Sequence, residues 1–287
     1  MEKHSEVFFD SYRNAVMAVY DEYLKTAEVD LSGMDDDREN KLHVYLQNAC
    51  KMWLCTPHEQ LGKKTPVEYM ETVSSLNVLT DMFTYGVVIC DDDLPEIFLD
   101  KLKSYGDKAI DMLLEIATRN AASDSEEAFL ASLMAVKVLG VWKVESAVEP
   151  IIKLLKTEGE LYDLMNEKVR DALVSIDDLA LDGIFRALDS GVCSQTSVEY
   201  LLMALTDIGI KNRSDKIYLY LKKAFLEISG KLVAASCLGN YGDGRAIPAL
   251  RGFLEKSAPS LDRATFYEIV SAISRLGGRT NDLKFTN

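Results

Sequence analysis

Apolar residues recur at steps of three and four along almost the whole of this 287-residue chain, and that period restricts it to helices. Phe8, Tyr12, Ala15, Val19 and Tyr23 form one stripe over 5–27. Leu42, Tyr45, Ala49 and Trp53 form another over 37–55, with Asp37 placed to cap its start. Thr65-Pro66-Val67-Glu68 reads as a capping box, with threonine at the N-cap, proline at N1 and glutamate at N3. It predicts a long helix running towards Tyr85. Asp91-Asp92-Asp93 before Pro95 and Glu96 opens the next helix, because acids favour the positive end of a helix. The triplet lacks the spacing and distal glutamate of a calcium loop. No segment alternates with the period of two that marks a half-buried strand. Scarce glycine and proline, 16 and 6, exclude a collagen-like or turn-rich β chain. The chain is expected to be all-α.

From residue 94 the predicted helices become short and paired: 94–104 with 107–120, 125–140 with 143–156, 162–176 with 179–190, 195–209 with 214–229, and 231–241 with 244–256. A last helix covers 261–276. The breaks contain Gly106, Asn120, Gly140, Gly191, Gly209, Gly230, Gly242 and Gly277, several suited to helix C-caps. Overlaying the helix ends exposes a repeat. Leu133-Met-Ala-Val-Lys-Val-Leu-Gly140 precedes Ala147-Val-Glu-Pro-Ile-Ile-Lys-Leu-Leu155, and Leu232-Val-Ala-Ala-Ser-Cys-Leu-Gly239 precedes Ala246-Ile-Pro-Ala-Leu-Arg-Gly-Phe-Leu254. Val169–Ile176 with Ala180–Leu188, and Tyr200–Gly209 with Ile217–Phe225, are further copies. The apolar first-helix ends Leu139, Ile176, Ile208, Leu238 and Leu276 are 37, 32, 30 and 38 residues apart, a repeat of about 34.

These copies resemble HEAT repeats, particularly the short bacterial type also found in phycobilisome-lyase-like proteins. Residues 235–250 carry the strongest match, with Leu238-Gly239, Asp243 and Ala246-Ile247-Pro248; in the 133–155 copy the proline moves to Pro150 and the aspartate is missing. The resemblance covers roughly 94–277. It implies a right-handed α-α superhelix, a HEAT-like solenoid, over 94–287, preceded by a helical N-terminal region over 1–93. Phe8, Trp53, Leu79, Leu139, Ile151, Leu173, Leu205, Leu238, Leu250 and Ile273 are the expected core. A second echo, Trp53-Leu54…Pro57…Leu61-Gly62…Thr65-Pro66, resembles a signature of several bacterial families, including the toxin-binding domain of some antitoxins. Physically it describes a helix end, a tight turn and a capped helix.

Chemistry narrows the function. The net charge of −14 opposes binding to polyanions, but it is uneven: −12 over 1–100, −7 over 101–200 and +5 over 201–287. A charged N-terminus without an apolar core, and no apolar run near the ~18 residues of a span, lead us to expect a cytoplasmic protein outside the membrane. Five cysteines, an odd number, argue against a disulfide framework, and Cys193 and Cys237 sit among apolar neighbours. Cys50, Cys55 and His58 lack a nearby fourth ligand, His43 lying well upstream, so no metal is expected. The three histidines, His4, His43 and His58, all precede the repeats, leaving serine and cysteine there without a histidine base. The HEAT-type iron hydroxylase needs several His-Glu dipeptides, and the repeats contain none. Gly239-Asn-Tyr-Gly242-Asp-Gly244 lies between two helices with no preceding strand, unlike a phosphate loop.

A non-catalytic protein-interaction scaffold is therefore expected, with no cofactor, binding a protein of acidic character on a concave face lined by second helices. Lys153, Arg186, Lys222 and Arg251 occupy comparable positions on those helices, with Tyr218 one turn before Lys222, and form the candidate partner-binding ladder. An enzyme or lyase-like protein on the same scaffold is the alternative. A nucleic-acid-binding HEAT-like protein is a third.

Overall fold

The computed structural model describes residues 4–26, 36–90, 94–121, 125–155, 160–191, 193–227, 230–257 and 260–285, and every regular element among them is helical. Asp91–Asp93 and the side chains of Tyr23, Asp37 and His43 lie outside the described residues. Packing divides the chain into two compact units, Met1–Met134 and Ala135–Asn287. The sequence reading divides the chain at 93/94.

The first unit contains α1 (His4–Thr26), α2 (Asp36–Cys55), α3 (Pro66–Thr72), α4 (Leu76–Cys90), α5 (Glu96–Lys103) and α6 (Asp107–Asn120); α7 (Glu126–Val141) runs across the division. Helix α1 packs on α2 and α4 through rings. Phe8 meets Trp53 of α2 edge-on at 5.4 Å, and Phe9 meets Tyr85 of α4 at 6.4 Å and Phe98 of α5 at 5.3 Å. The Trp53 indole N–H donates to Ser11 Oγ at 3.0 Å, which satisfies both buried polar groups. A Cβ on Gly86 would stand 2.5 Å from the Phe9 ring, so glycine lets α4 close on α1. Tyr45, read as part of the α2 stripe, is instead 47% exposed, and only Ala49 and Trp53 of that stripe are buried. The predicted capping box is complete: the Glu68 amide donates to Thr65 Oγ1 at 3.3 Å and the Thr65 amide donates to Glu68 Oε2 at 2.8 Å. The helix it opens stops at Thr72, far short of Tyr85. Val73 turns extended to bury its side chain, and the serines at 74 and 75 favour caps over helix interiors, so α4 starts afresh.

The second unit contains α8 (Val148–Ile152), α9 (Glu160–Ile176), α10 (Leu181–Asp189), α11 (Gln195–Lys211), α12 (Asp215–Glu227), α13 (Lys231–Tyr241), α14 (Ile247–Ser257) and α15 (Arg263–Arg275). The first helices α9, α11, α13 and α15 pack in series, while α10 packs on α11, α12 on α11 and α13, and α14 on α15. Each second helix thus sits against a first helix of its own or the next pair, as stacked repeats require. All ten residues expected in the core are at most 3% exposed.

The glycines divide into two sorts. Gly106, Gly191, Gly242 and Gly277 have positive φ between 58° and 81°, which suits tight breaks after helices. Gly140 and Gly209, also read as breaks, lie inside helices that run on to Val141 and Lys211. A Cβ on Gly140 would stand 2.7 Å from Ala172 Cα, one on Gly209 2.8 Å from the Tyr241 ring, and one on Gly239 2.9 Å from Ala272 Cα. These glycines permit close approach to the next first helix rather than end their own. In the copy without glycine, Asp177 follows Ile176 with φ 67° and the helix does end there.

Candidate functional site

The candidate surface is built on the second helices of Ala135–Asn287, where polar side chains mostly bridge one repeat to the next. Arg186 on α10 donates to Glu149 on α8 at 3.0 Å, 37 residues away. The Lys216 ammonium on α12 lies 3.8 Å from Asp182 and 3.9 Å from the centre of the Phe185 ring, both on α10. The Tyr220 hydroxyl donates to Asp189, 31 residues back. Arg245 reaches Asp215, 30 residues back, at 2.7 Å and Asp243 at 2.7 Å. Arg251 on α14 donates to Asp282, 31 residues on. The separations are those of one repeat. An arginine placed once per repeat therefore meets a carboxylate from the neighbouring copy before it can meet a partner.

The candidate ladder consequently divides. Lys153 is exposed at the end of α8 and shares a groove of about 610 Å³ with Arg186, Glu145, Glu149, Leu179 and Asp182. Arg186 lies in that groove already paired to Glu149. Arg251 is held by Asp282 and by the Arg279 carbonyl. Lys222 is half-buried on α12, with no ion pair among the described residues. Tyr218 is only 4% exposed, covered by the Arg245 guanidinium at 4.4 Å, so its ring offers little area to a partner. It belongs to the inward stripe Tyr218, Leu221, Phe225, spaced at three and four.

Sequence reasoning missed three exposed leucines, Leu179 in the groove beside Lys153 and Leu219 and Leu226 on α12, at 49, 58 and 52%. A signal for two of them was present, because Leu219 and Leu226 alternate with Lys216 and Lys223 at steps of three, four and three.

Electrostatics follows the bridges. Hydrogen bonding to Asp189, then burial, pushes the Tyr220 hydroxyl up to about 12. Hydrogen bonds to Asp243 and Asp215 raise the Arg245 guanidinium and keep it charged, and Arg245 in turn holds Asp243 below the usual carboxylate range. Burial pushes the Cys237 thiol up to about 11, which keeps it a packing group at neutral pH. Among the described residues no three His, Cys, Asp or Glu side chains are grouped to hold a metal ion, and no helix is long and apolar enough to cross a membrane.

No curated protein matches the chain in a sequence comparison. Residues 231–256 match the family model of the PBS lyase HEAT-like repeat. They comprise α13, the 3-10 turn Gly244–Ala246 that Asp243 caps through the Arg245 amide at 3.0 Å, and nearly all of α14. The all-helical chain thus carries a HEAT-like repeat at the place where its sequence resembles one most strongly.

Proposed function

We propose that Ala135–Asn287 is a protein-interaction scaffold whose second-helix face takes a protein partner of acidic character. The observation that carries this is exposed leucine beside lysine on the second helices: Leu179 lines a groove with Lys153, and Leu219 and Leu226 share α12 with Lys222 and Lys223. Apolar side chains set among cations provide area for affinity and charge for steering. Cross-repeat pairs such as Glu149–Arg186 link neighbouring helices across the groove.

The test is capture from the native source on immobilised protein. The wild type is expected to retain a stoichiometric protein at low salt, and Lys153→Glu with Lys222→Glu to weaken its retention and slow association. Arg251 is left intact in that variant, because its side chain also anchors the C-terminal segment. A protein retained equally by the variant would sink the acidic-partner reading. Retention of nucleic acid or of a bound cofactor instead would move the assignment to the alternative classes.

A further inference from the structure

We propose that α12 carries a helix-docking seam, selective for an amphipathic partner helix with leucines seven residues apart and carboxylates between them. This rests on the scaffold reading and names the partner chemistry of one part of that surface. Lys216, Leu219, Lys223 and Leu226 follow one another at steps of three, four and three, which places them on one face of a helix. Leu219 and Leu226 are 58 and 52% exposed, Lys223 is exposed, and the Lys216 side chain is 57% exposed. The opposite face, with Ile217, Tyr218, Leu221 and Phe225, is at most 4% exposed and already completes the fold's packing. The outward leucines are therefore surplus to the core.

The spacing is that of a heptad seam, with lysine at both a-type positions and leucine at both d-type positions. Two turns of helix separate the leucines by about 10.5 Å, so a partner must present matching apolar residues at the same interval. Lysines select the remainder. Lys216 is steadied over Phe185 and shares Asp182 at 3.8 Å, whereas Lys222 and Lys223 have no ion pair among the described residues. A facing glutamate or aspartate would neutralise them. A second copy of α12 in parallel would set lysine against lysine, which disfavours parallel self-pairing, whereas an acidic helix pairs its carboxylates with those lysines.

The experiment uses the full chain and two synthetic helical peptides of about three heptads, both with leucine at d, one with glutamate at a and the other with lysine at a. Binding is read by fluorescence anisotropy at low ionic strength. The glutamate peptide is expected to bind at least about tenfold more tightly than the lysine peptide, and Lys216→Glu with Lys223→Glu to invert that order. Leu219→Ser with Leu226→Ser is expected to weaken both peptides about tenfold or more while leaving the circular dichroism unchanged. Equal affinity for the two peptides, or indifference to the leucine substitutions, would overturn the seam. Self-association of the chain that the leucine variant abolishes would overturn it too, by assigning the face to a second copy. If the seam fails while the Lys153/Lys222 variant still loses a captured protein, the broader scaffold reading stands.

Discussion

In Met1–Met134 the buried rings Phe8, Phe9, Trp53 and Phe98 meet one another across three helices, whereas in Ala135–Asn287 the first helices approach closely at Gly140 against Ala172 and at Gly239 against Ala272. The polar contacts differ in the same way. In the first unit they join residues 42, 65 and 75 apart: Ser11 to Trp53, His4 to Tyr69 and Asp10 to Tyr85. In the second they join residues one repeat apart, as Arg170 joins Asp207 at a separation of 37. The first unit has one nucleus assembled from distant segments. The second has a chain of similar joints. Damage should spread through the first and stay local in the second.

The largest test of this contrast is Trp53→Ala. It removes a buried ring and the donor to Ser11, and a cost of about 3–5 kcal/mol is expected in chemical denaturation. Helices α1, α2 and α4 should lose amide protection together. Loss confined to α2 would break the single-nucleus picture. Leu250→Ala is its counterpart in the second unit, expected to cost ~2–5 kcal/mol. Hydrogen exchange should rise across α13, α14 and α15 first; equal loss across α9 would contradict nearest-neighbour coupling.

Glycine substitutions probe the joints themselves. Gly140→Ala or Gly239→Ala forces a methyl against the next first helix and should destabilise by about 1–3 kcal/mol. Gly252 lies in α14 with nothing within 4 Å of an added Cβ. Gly252→Ala should therefore stabilise, by about 0.4–1 kcal/mol. If both kinds of substitution shift the thermal midpoint the same way, the division of glycines into joints and open positions is wrong.

The polar ladder should contribute least. A double-mutant cycle on Arg170 and Asp207, whose side chains remain 35 and 33% exposed, is expected to give a coupling of about 0.5–1 kcal/mol, reduced by salt. Asp243, held low chiefly by Arg245, and Asp262, held low by Thr265, add a dependence on acid. Their native acidities lie below the unfolded value of about 3.9, so their contribution is complete above that pH and disappears as pH falls through the depressed native range. Replacing Asp243 with asparagine should flatten the acid limb of stability below about pH 4. An unchanged acid limb would exclude the Asp243–Arg245 pair as its source.

Much of the fold was legible in the sequence. The Thr65–Glu68 box formed as its residues dictate, and the core positions from Phe8 to Ile273 emerged from spacing alone. The candidate surface was far less legible. Lys153 and Arg186 come to one groove, but Arg186 and Arg251 bind carboxylates that lie a repeat away, and Tyr218 turns inward. The lysine–leucine alternation on α12 was visible as residues, yet its exposure depends on which stripe of that helix the neighbouring first helices cover.

Sequence by itself determined that this chain is helical, where most of its helices begin, and that Leu232–Leu254 is built as a HEAT-like repeat. Those properties arise from groups within about four residues of one another, through backbone hydrogen bonds, caps and the 3.6-residue period. Tertiary structure decided that Gly140 and Gly209 pack where Gly242 turns, and that α3 stops at Thr72. It also decided which cations are bound and which leucines are left outside. Each of those outcomes depends on atoms supplied by another segment, at distances in sequence where local propensity carries no information and packing selects among conformations of nearly equal energy.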